Sequence, residues 1–234
     1  MKTVLGTEIS IGGRRWSQKL NEGIETERLV YTIVQRYDLP EIIARLLVAR
    51  DVSLEEVNRF LNPKIRDIMP DPSSLMDMDV AVDRLLKAIS DNELIGLFAD
   101  YDVDGATSSA LLKMYLNALN IRNELYIPDR VKDGYGPNKQ GLEYLKAKGA
   151  SLILTLDCGI LAFDILDDFN LQGGEVIVID HHMAEPKLPK AIAVVNPNRL
   201  DDQSDLGNLA AVGVVFLLLV ALTRRLRKVG WFSK

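Results

Sequence analysis

The sequence predicts an α/β fold, a parallel sheet with helices on both faces, preceded by a small helical region. Three observations predict it. From Glu93 onward, short apolar runs alternate with longer stretches of helical spacing, the rhythm of strand–helix units. The runs are apolar throughout, without the polar alternation of a half-exposed sheet, so both of their faces are covered. The residues before this rhythm show helical spacing and no strand pattern, apart from a loose start containing Gly6, Gly12, Gly13 and Gly23.

In chain order, Thr26 is placed to cap a first helix with Leu29, Val30, Ile33 and Val34 on one face, ended by Asp38-Leu39-Pro40. Pro40 suits the first turn of a second helix carrying Ile42, Ile43, Leu46 and Leu47. Ser53-Leu54-Glu55-Glu56 has the form of a capping box and opens a third, with Val57, Phe60 and Leu61, stopped at Asn62-Pro63. Residues 63–74 hold three prolines and read as a linker. An amphipathic helix follows over 76–89, with Met76, Val80, Leu85, Leu86 and Ile89 as its apolar face. The organisation is therefore a lead-in and helical prelude over 1–75 and a main domain over 76–234.

Within the main domain the expected strands are 94–99, 124–127, 151–156, 176–179 and 191–195. The expected helices are 106–119, 138–148, 161–169 and 208–225. Crossovers between such strands are right-handed. No repeat or low-complexity tract interrupts the series.

Composition is that of a soluble globular chain: 47% of 234 residues are apolar and 26% charged. A formal net charge of -5 gives no general attraction to nucleic acid or to an acidic membrane, although bound divalent cations would turn an acidic pocket into a phosphate site. Cys158 is the only cysteine, so no intrachain disulfide forms. The amino terminus lacks a basic segment followed by an apolar stretch, and the long apolar run 209–222 is too short to span a bilayer comfortably. The expectation is a cytoplasmic protein with no membrane role.

The chemistry concentrates where strands end. The first strand runs into Asp100-Tyr101-Asp102-Val103-Asp104-Gly105, the third into Asp157-Cys158-Gly159, and the fourth into Asp180-His181-His182. Strand carboxyl ends of a parallel sheet share one edge, which is where such sheets place their ligands. Clustered carboxylates resist ionising together, and a divalent cation relieves that repulsion. A solvated acidic turn is the plain alternative for the first segment alone. Mixed carboxylate and imidazole ligands suit a manganese-type ion, with zinc or iron open on affinity. Arg130, Lys132, Tyr135 and Asn138 form a basic and aromatic loop on the same edge, suited either to holding a single strand or to a surface turn. Asn196 and Arg199 are weaker candidates of the same kind. Cys158, among acids, reads as a packing residue.

The Asp-Tyr-Asp-Val-Asp-Gly-Ala-Thr-Ser run at 100–108, Leu-Asp-Cys-Gly-Ile at 156–160 and Ile-Asp-His-His-Met at 179–183 resemble successive motifs of the DHH phosphoesterase superfamily. More closely they are similar to the RecJ-like single-stranded-DNA-specific exonucleases. Supporting context comes from Phe60-Leu61-Asn62-Pro63, Gly134-Tyr135-Gly136-Pro137-Asn138 and Val195-Asn196-Pro197. The resemblance runs from about residue 14 to the end.

It implies a phosphodiesterase using two Mn²⁺ or Mg²⁺ ions, acting 5′ to 3′ on single-stranded DNA in repair and recombination. Asp102, Asp104 and His181 would be metal ligands and Asp157 would bridge the ions. Asp100 would orient ligands from behind. His182 would be a ligand or face the scissile phosphate, and Asp180, grouped with it as catalytic, would steady the turn. Arg130, Tyr135, Asn138 and Asn196 would contact substrate. Phe98 stands where many superfamily members carry a metal-binding histidine. The family continues past the last helix to another metal-binding aspartate and a second domain. The chain therefore corresponds to the front part of such an enzyme, with a DHH domain incomplete at its carboxyl end and the missing half a candidate partner chain. Two rival readings follow: a non-catalytic metal- or partner-binding remnant, and a DHH phosphodiesterase for short oligonucleotides or cyclic dinucleotides. The helical prelude favours the RecJ-like reading over the second.

Overall fold

The computed structural model describes residues 7–17, 19–20 and 23–233, and the chain divides into two units, Met1–Met69 and Pro70–Lys234. Part of the loose lead-in, Gly6 included, lies outside the described residues.

Among the described residues the first unit holds four helices: α1 (Ile24–Tyr37), α2 (Glu41–Val48), α3 (Val57–Leu61) and α4 (Ile65–Ile68). Val30, Ile33, Ala44, Leu47, Val52 and Val57 form its core. Thr26 is not the cap of α1: the helix begins two residues earlier, after Gly23, with no side-chain cap. Glu25 and Glu27 in that first turn complement the helix dipole instead. Pro40 is the cap residue of α2 rather than its first turn. Ile42 and Leu46, expected on the buried face, are exposed, because an eight-residue helix presents Ala44 and Leu47 inward. Phe60 and Leu61 are exposed as well. The capping box forms in part: Glu56 accepts from the Ser53 N–H at 3.3 Å and from its hydroxyl at 2.7 Å, while the helix proper begins only at Val57. The proline-rich stretch is not all linker, since it contains α4 and a 3-10 turn at Pro72–Ser74.

The second unit begins with α5 (Met78–Ser90), whose buried residues are Met78, Ala81, Val82, Leu85, Ala88 and Ile89. Met76 and Val80 are exposed, contrary to expectation. The helix starts two residues late, and its face toward the core is fixed by small alanines that a count of large apolar residues passes over. Strands β1 (Leu94–Ala99), β2 (Asn123–Tyr126), β3 (Ala150–Leu156), β4 (Glu175–Ile179) and β5 (Ala193–Val195) form one all-parallel sheet in the order β2-β1-β3-β4-β5. Helices α6 (Val103–Ala118), α7 (Lys139–Ala147) and α8 (Phe163–Leu171) follow β1, β2 and β3, and α9 (Ala211–Lys228) follows β5.

Side chains of the central strands alternate between two cores, as the two-residue period requires. Leu97, Ala99, Leu152, Leu154, Leu156, Ile177 and Ile179 join α5, α6 and α9 on one face. Phe98, Ile153, Val176 and Val178 join α7 and α8 on the other. The apolar run 209–222 lies largely in α9 as a buried helix, and no described helix is long and apolar enough to cross a membrane. Phe98 is fully buried against Tyr126, with ring centroids 5.5 Å apart.

Two features of the sheet position the site. The chain winds one way from β1 to β2 and the other way from β3 onward, so a crevice opens between β1 and β3 at their carboxyl ends. The strands also end level: Ala99 pairs with Leu156, Leu156 with Ile179, and Ile179 with Val195. The ladder runs one residue further, with the N–H of Asp100, Asp157 and Asp180 donating to Leu156, Ile179 and Val195 at 2.9–3.1 Å. Asp100, Asp157, Asp180 and Asn196 are thereby placed in one row.

Candidate metal centre

The segment after β1 folds back because Asp102 caps α6. One carboxylate oxygen accepts from the N–H of Asp104 at 3.0 Å and of Gly105 at 3.1 Å. These contacts, with the Gly105 N–H foremost, hold its carboxyl below the usual range despite partial burial. Gly105 has no room for a side chain: a Cβ there would stand 2.2 Å from the Asp100 carbonyl oxygen. The capped helix therefore starts at Val103, three residues before the expected Ala106, and brings Asp102 and Asp104 to the crevice.

Asp157 is the most constrained of the acids. Its backbone is left-handed at φ 63°, its side chain is 1% exposed, and Oδ1 has no protein hydrogen-bond partner. Burial first, then the hydrogen bond and charge of Asp102, push its carboxyl up to about 8. Asp100 is equally buried, also with an unpartnered Oδ1, and burial and the charge of Asp102 raise it too. Gly159 completes the turn at φ 113°, where a Cβ would approach Thr155 Oγ1 to 2.7 Å.

The histidine turn is organised by Asp180, which is fully buried. Its Oδ1 accepts from the N–H of His181 at 2.7 Å, the N–H of His182 at 3.1 Å and His182 Nδ1 at 2.7 Å. Its Oδ2 accepts from the Ile160 N–H at 3.0 Å. Burial acts to raise this carboxyl, but the His182 and backbone hydrogen bonds outweigh it and hold the group low. Asp180 in turn raises His182. His181 Nδ1 lies 3.1 Å from the Leu209 carbonyl, an acceptor only, so that nitrogen carries the proton. Nε2 is left with its lone pair facing Asp157 Oδ1 at 3.3 Å and Asp104 Oδ2 at 3.7 Å.

Among the described residues, two groups of side chains have ligand atoms within 4.8 Å of one another: Asp100, Asp102 and Asp157, and Asp157, His181 and His182. Asp157 belongs to both. Asp104 joins through His181, and Asp100, expected behind the ligands, stands among them. Orphaned buried carboxylate oxygens, an imidazole lone pair and crowded negative charge form a donor set that fits divalent cations taking oxygen and nitrogen ligands.

The substrate candidates are placed differently. Tyr135 reaches the centre, its hydroxyl 3.3 Å from the Asp157 carbonyl and 3.3 and 3.4 Å from the two His182 ring nitrogens. Burial, then the charge of Asp180, raise this phenol, which stays protonated. Arg130 is exposed, its guanidinium 5.3 Å from the Tyr101 ring centroid. Asn138 caps α7 by accepting from the Gly141 N–H at 2.8 Å. Asn196 is buried, donating to the His182 carbonyl at 2.9 Å and accepting from the Asn198 N–H at 2.7 Å, so it shapes the turn. Arg199 is buried too, held by Asp77, Asp201 and the Val194 carbonyl at 2.6–2.9 Å. Cys158 is fully buried and pushed up by burial and the acids around it. Asn198 escapes the sequence reading: it donates to the His181 carbonyl and ties it to Gly207 at 3.3 Å. The Asn-Pro-Asn spacing at 196–198 is the signal that could have found it.

The single-stranded-DNA-specific exonuclease RecJ of Bacillus subtilis (strain 168) is 39% identical over 194 residues, 82% of this chain and 25% of that protein. RecJ of Escherichia coli (strain K12) is 36% identical over 199 residues, 84% of this chain and 34% of that one. The crystal structure of RecJ in complex with Mn²⁺ from Thermus thermophilus superposes with a TM-score of 0.65 at 27% identity, covering 86% of this chain and 28% of that chain. The chain thus spans about a quarter to a third of the length of the curated relatives it matches. The sequence model described as the DHH family, N-terminal domain, matches residues 94–230, more than half the chain. The protein belongs to the DHH family.

Proposed function

We propose that the chain carries the metal-dependent phosphodiester-hydrolysing site of a RecJ-like exonuclease acting on single-stranded DNA, with 5′-to-3′ polarity. The observation that carries this reading is Asp157, a buried carboxylate with an unpartnered Oδ1 that belongs to both ligand groups. Relatives described as single-stranded-DNA-specific exonucleases, and the Mn²⁺ bound in the RecJ crystal structure, support the substrate and the metal. Asp102, Asp104, Asp157 and His181 would hold two Mn²⁺ or Mg²⁺ ions, Asp157 being common to both ligand groups and Asp100 standing with Asp102 and Asp157 in one of them. Such ions, when bound, supply Lewis acidity toward the phosphate and lower the pKa of water.

The protein's own groups do the rest. His181 offers Nε2 because the Leu209 carbonyl holds the proton on Nδ1. Asp180 positions both histidines from beneath. His182, raised in pKa by Asp180, would hold a proton on Nε2 toward a phosphate oxygen. Tyr135 keeps that ring in place. Action in DNA repair and recombination, and a cytoplasmic location, belong to the same reading.

The test is direct. Purified protein with Mn²⁺ should progressively shorten a 3′-labelled single-stranded oligonucleotide from its 5′ end, and Asp157→Ala should abolish this. Hydrolysis equal in the wild type and the variant would refute the reading.

A further inference from the structure

Beside the candidate centre, on the α7 and α8 side of the sheet, lies a cleft of about 280 Å³ whose apolar lining the proposed metal chemistry does not use. Tyr135 and Pro137 form one wall and Ile160, Leu161, Ala162 and Ile165 the other, and the cleft shares His182 with the centre. Its volume lies near the lower end of the range for small-molecule sites, ~300 Å³ upward, which is room for one nucleoside and not for a stack. No lysine or arginine lines it among the described residues, so a phosphate is not its natural occupant. The polar side chains in the lining are already engaged: both Asp180 oxygens accept hydrogen bonds, and the Tyr135 hydroxyl faces His182 and the Asp157 carbonyl. What remains on offer is apolar surface and the Tyr135 ring, which stands at 76° to His182 and belongs to a residue 57% exposed.

We infer that this cleft seats the nucleobase of the nucleotide whose phosphate lies at His182, and that it does so without reading the base. The inference rests on the phosphodiesterase reading above and adds to it the element that fixes the terminal nucleoside. A base is the apolar, planar part of a nucleotide and is joined to the phosphate through one sugar. Burial against aliphatic side chains and stacking on a tyrosine suit every base, because every base has a π face.

The experiment compares ligands on the intact, Mn²⁺-loaded chain by isothermal titration calorimetry. The probes are dAMP, dTMP and 2-deoxyribose 5-phosphate, which lacks the base. Both mononucleotides should bind about tenfold more tightly than the sugar phosphate, within the usual worth of one stacked base, and within about threefold of each other. Ala162→Trp, which fills the cleft, should remove the advantage of the base while Mn²⁺ still binds. Leu161→Ala, at a rim position 52% exposed, should reduce the advantage in a variant with little risk to folding. Equal affinity for mononucleotides and sugar phosphate would overturn the cleft assignment and leave the metal-centre reading standing. A preference for one base above tenfold would overturn base-independent seating. Loss of Mn²⁺ and sugar-phosphate binding in the wild type would overturn both readings together, which separates that failure from the first.

Discussion

At the scale of single residues, Asp157 concentrates the conflict from which the site is made. Its carboxyl titrates near 8 in the folded protein against about 3.9 in an unfolded chain. The folded state therefore binds the proton more tightly than the unfolded state does. The contribution of Asp157 to the stability of the metal-free protein is full below about pH 4, declines as pH rises toward 8, and is lost above it. Thermal melts of metal-free protein between pH 5 and 9 should show Tm falling with pH, and Asp157→Asn should flatten that slope and raise Tm at pH 8. Mn²⁺ must displace the same proton, so its affinity should tighten from pH 6 to 8 with proton release visible by calorimetry. Asp180 sits in the same row with the opposite character: its oxygens are fully partnered. Asp180→Ala should cost about 3 kcal/mol in denaturant melts, because it strands His182 and three backbone N–H groups. An Asp180→Ala protein as stable as the wild type would contradict that account. Sequence alone marks both residues as acids at strand ends. It does not say which one is satisfied, because satisfaction depends on Ile160, His182 and Asp102 arriving from other segments.

At the scale of elements, the most exacting junction joins β1 to α6. Asp102 is both the cap of α6 and a candidate ligand, and Gly105 lets the first turn press on the Asp100 carbonyl. Gly105→Ala should push α6 away from the strand end and abolish the Mn²⁺-induced rise in Tm, a shift read by differential scanning fluorimetry. Retained Mn²⁺ stabilisation in that variant would show the junction to be looser than its contacts indicate. The strands were legible because uninterrupted apolar runs leave little choice. Helix starts were less so. Val103-Asp104-Gly105 reads as loop by propensity, yet the Asp102 cap and the packing of α6 recruit it into the helix. Asn138 and Asn196 show the same limit from the other side. An asparagine near a site looks like a substrate contact, and only the fold reveals that each also satisfies a backbone group. Met76 and Val80 mislead because a count of large apolar residues passes over Ala81 and Ala88, which lie on the buried face.

At the scale of the whole second unit, the two edges of the sheet divide their work. The amino-terminal edge is tied by Arg84, which bonds Glu93 before β1 at 2.7 Å and Glu175 at the start of β4 at 2.6 Å. These groups are mostly buried, apart from Glu175 at 46% side-chain exposure. Arg84→Ala should therefore destabilise the protein by about 3 kcal/mol. Mn²⁺ affinity, measured under folding conditions, should stay within twofold of the wild type, since the carboxyl-terminal edge lies a full strand length away. A large loss of Mn²⁺ affinity would show that the edges are coupled. The family and the position of the site were readable from three ordered motifs. The winding order that puts the crevice between β1 and β3 was not, since a strand–helix alternation is compatible with several strand orders.

The level strand ends have one further consequence. Asp100, Asp157 and Asp180 each follow a paired strand residue, so the lateral interval between their main chains is the spacing of neighbouring strands, ~4.8 Å. The sheet acts as a ruler, and the graduation of that ruler is the peptide hydrogen bond. No side-chain substitution redraws it. A change of metal ion must be met by side-chain rotation or by exchanging one ligand type for another, on anchor points whose separation the backbone has already set.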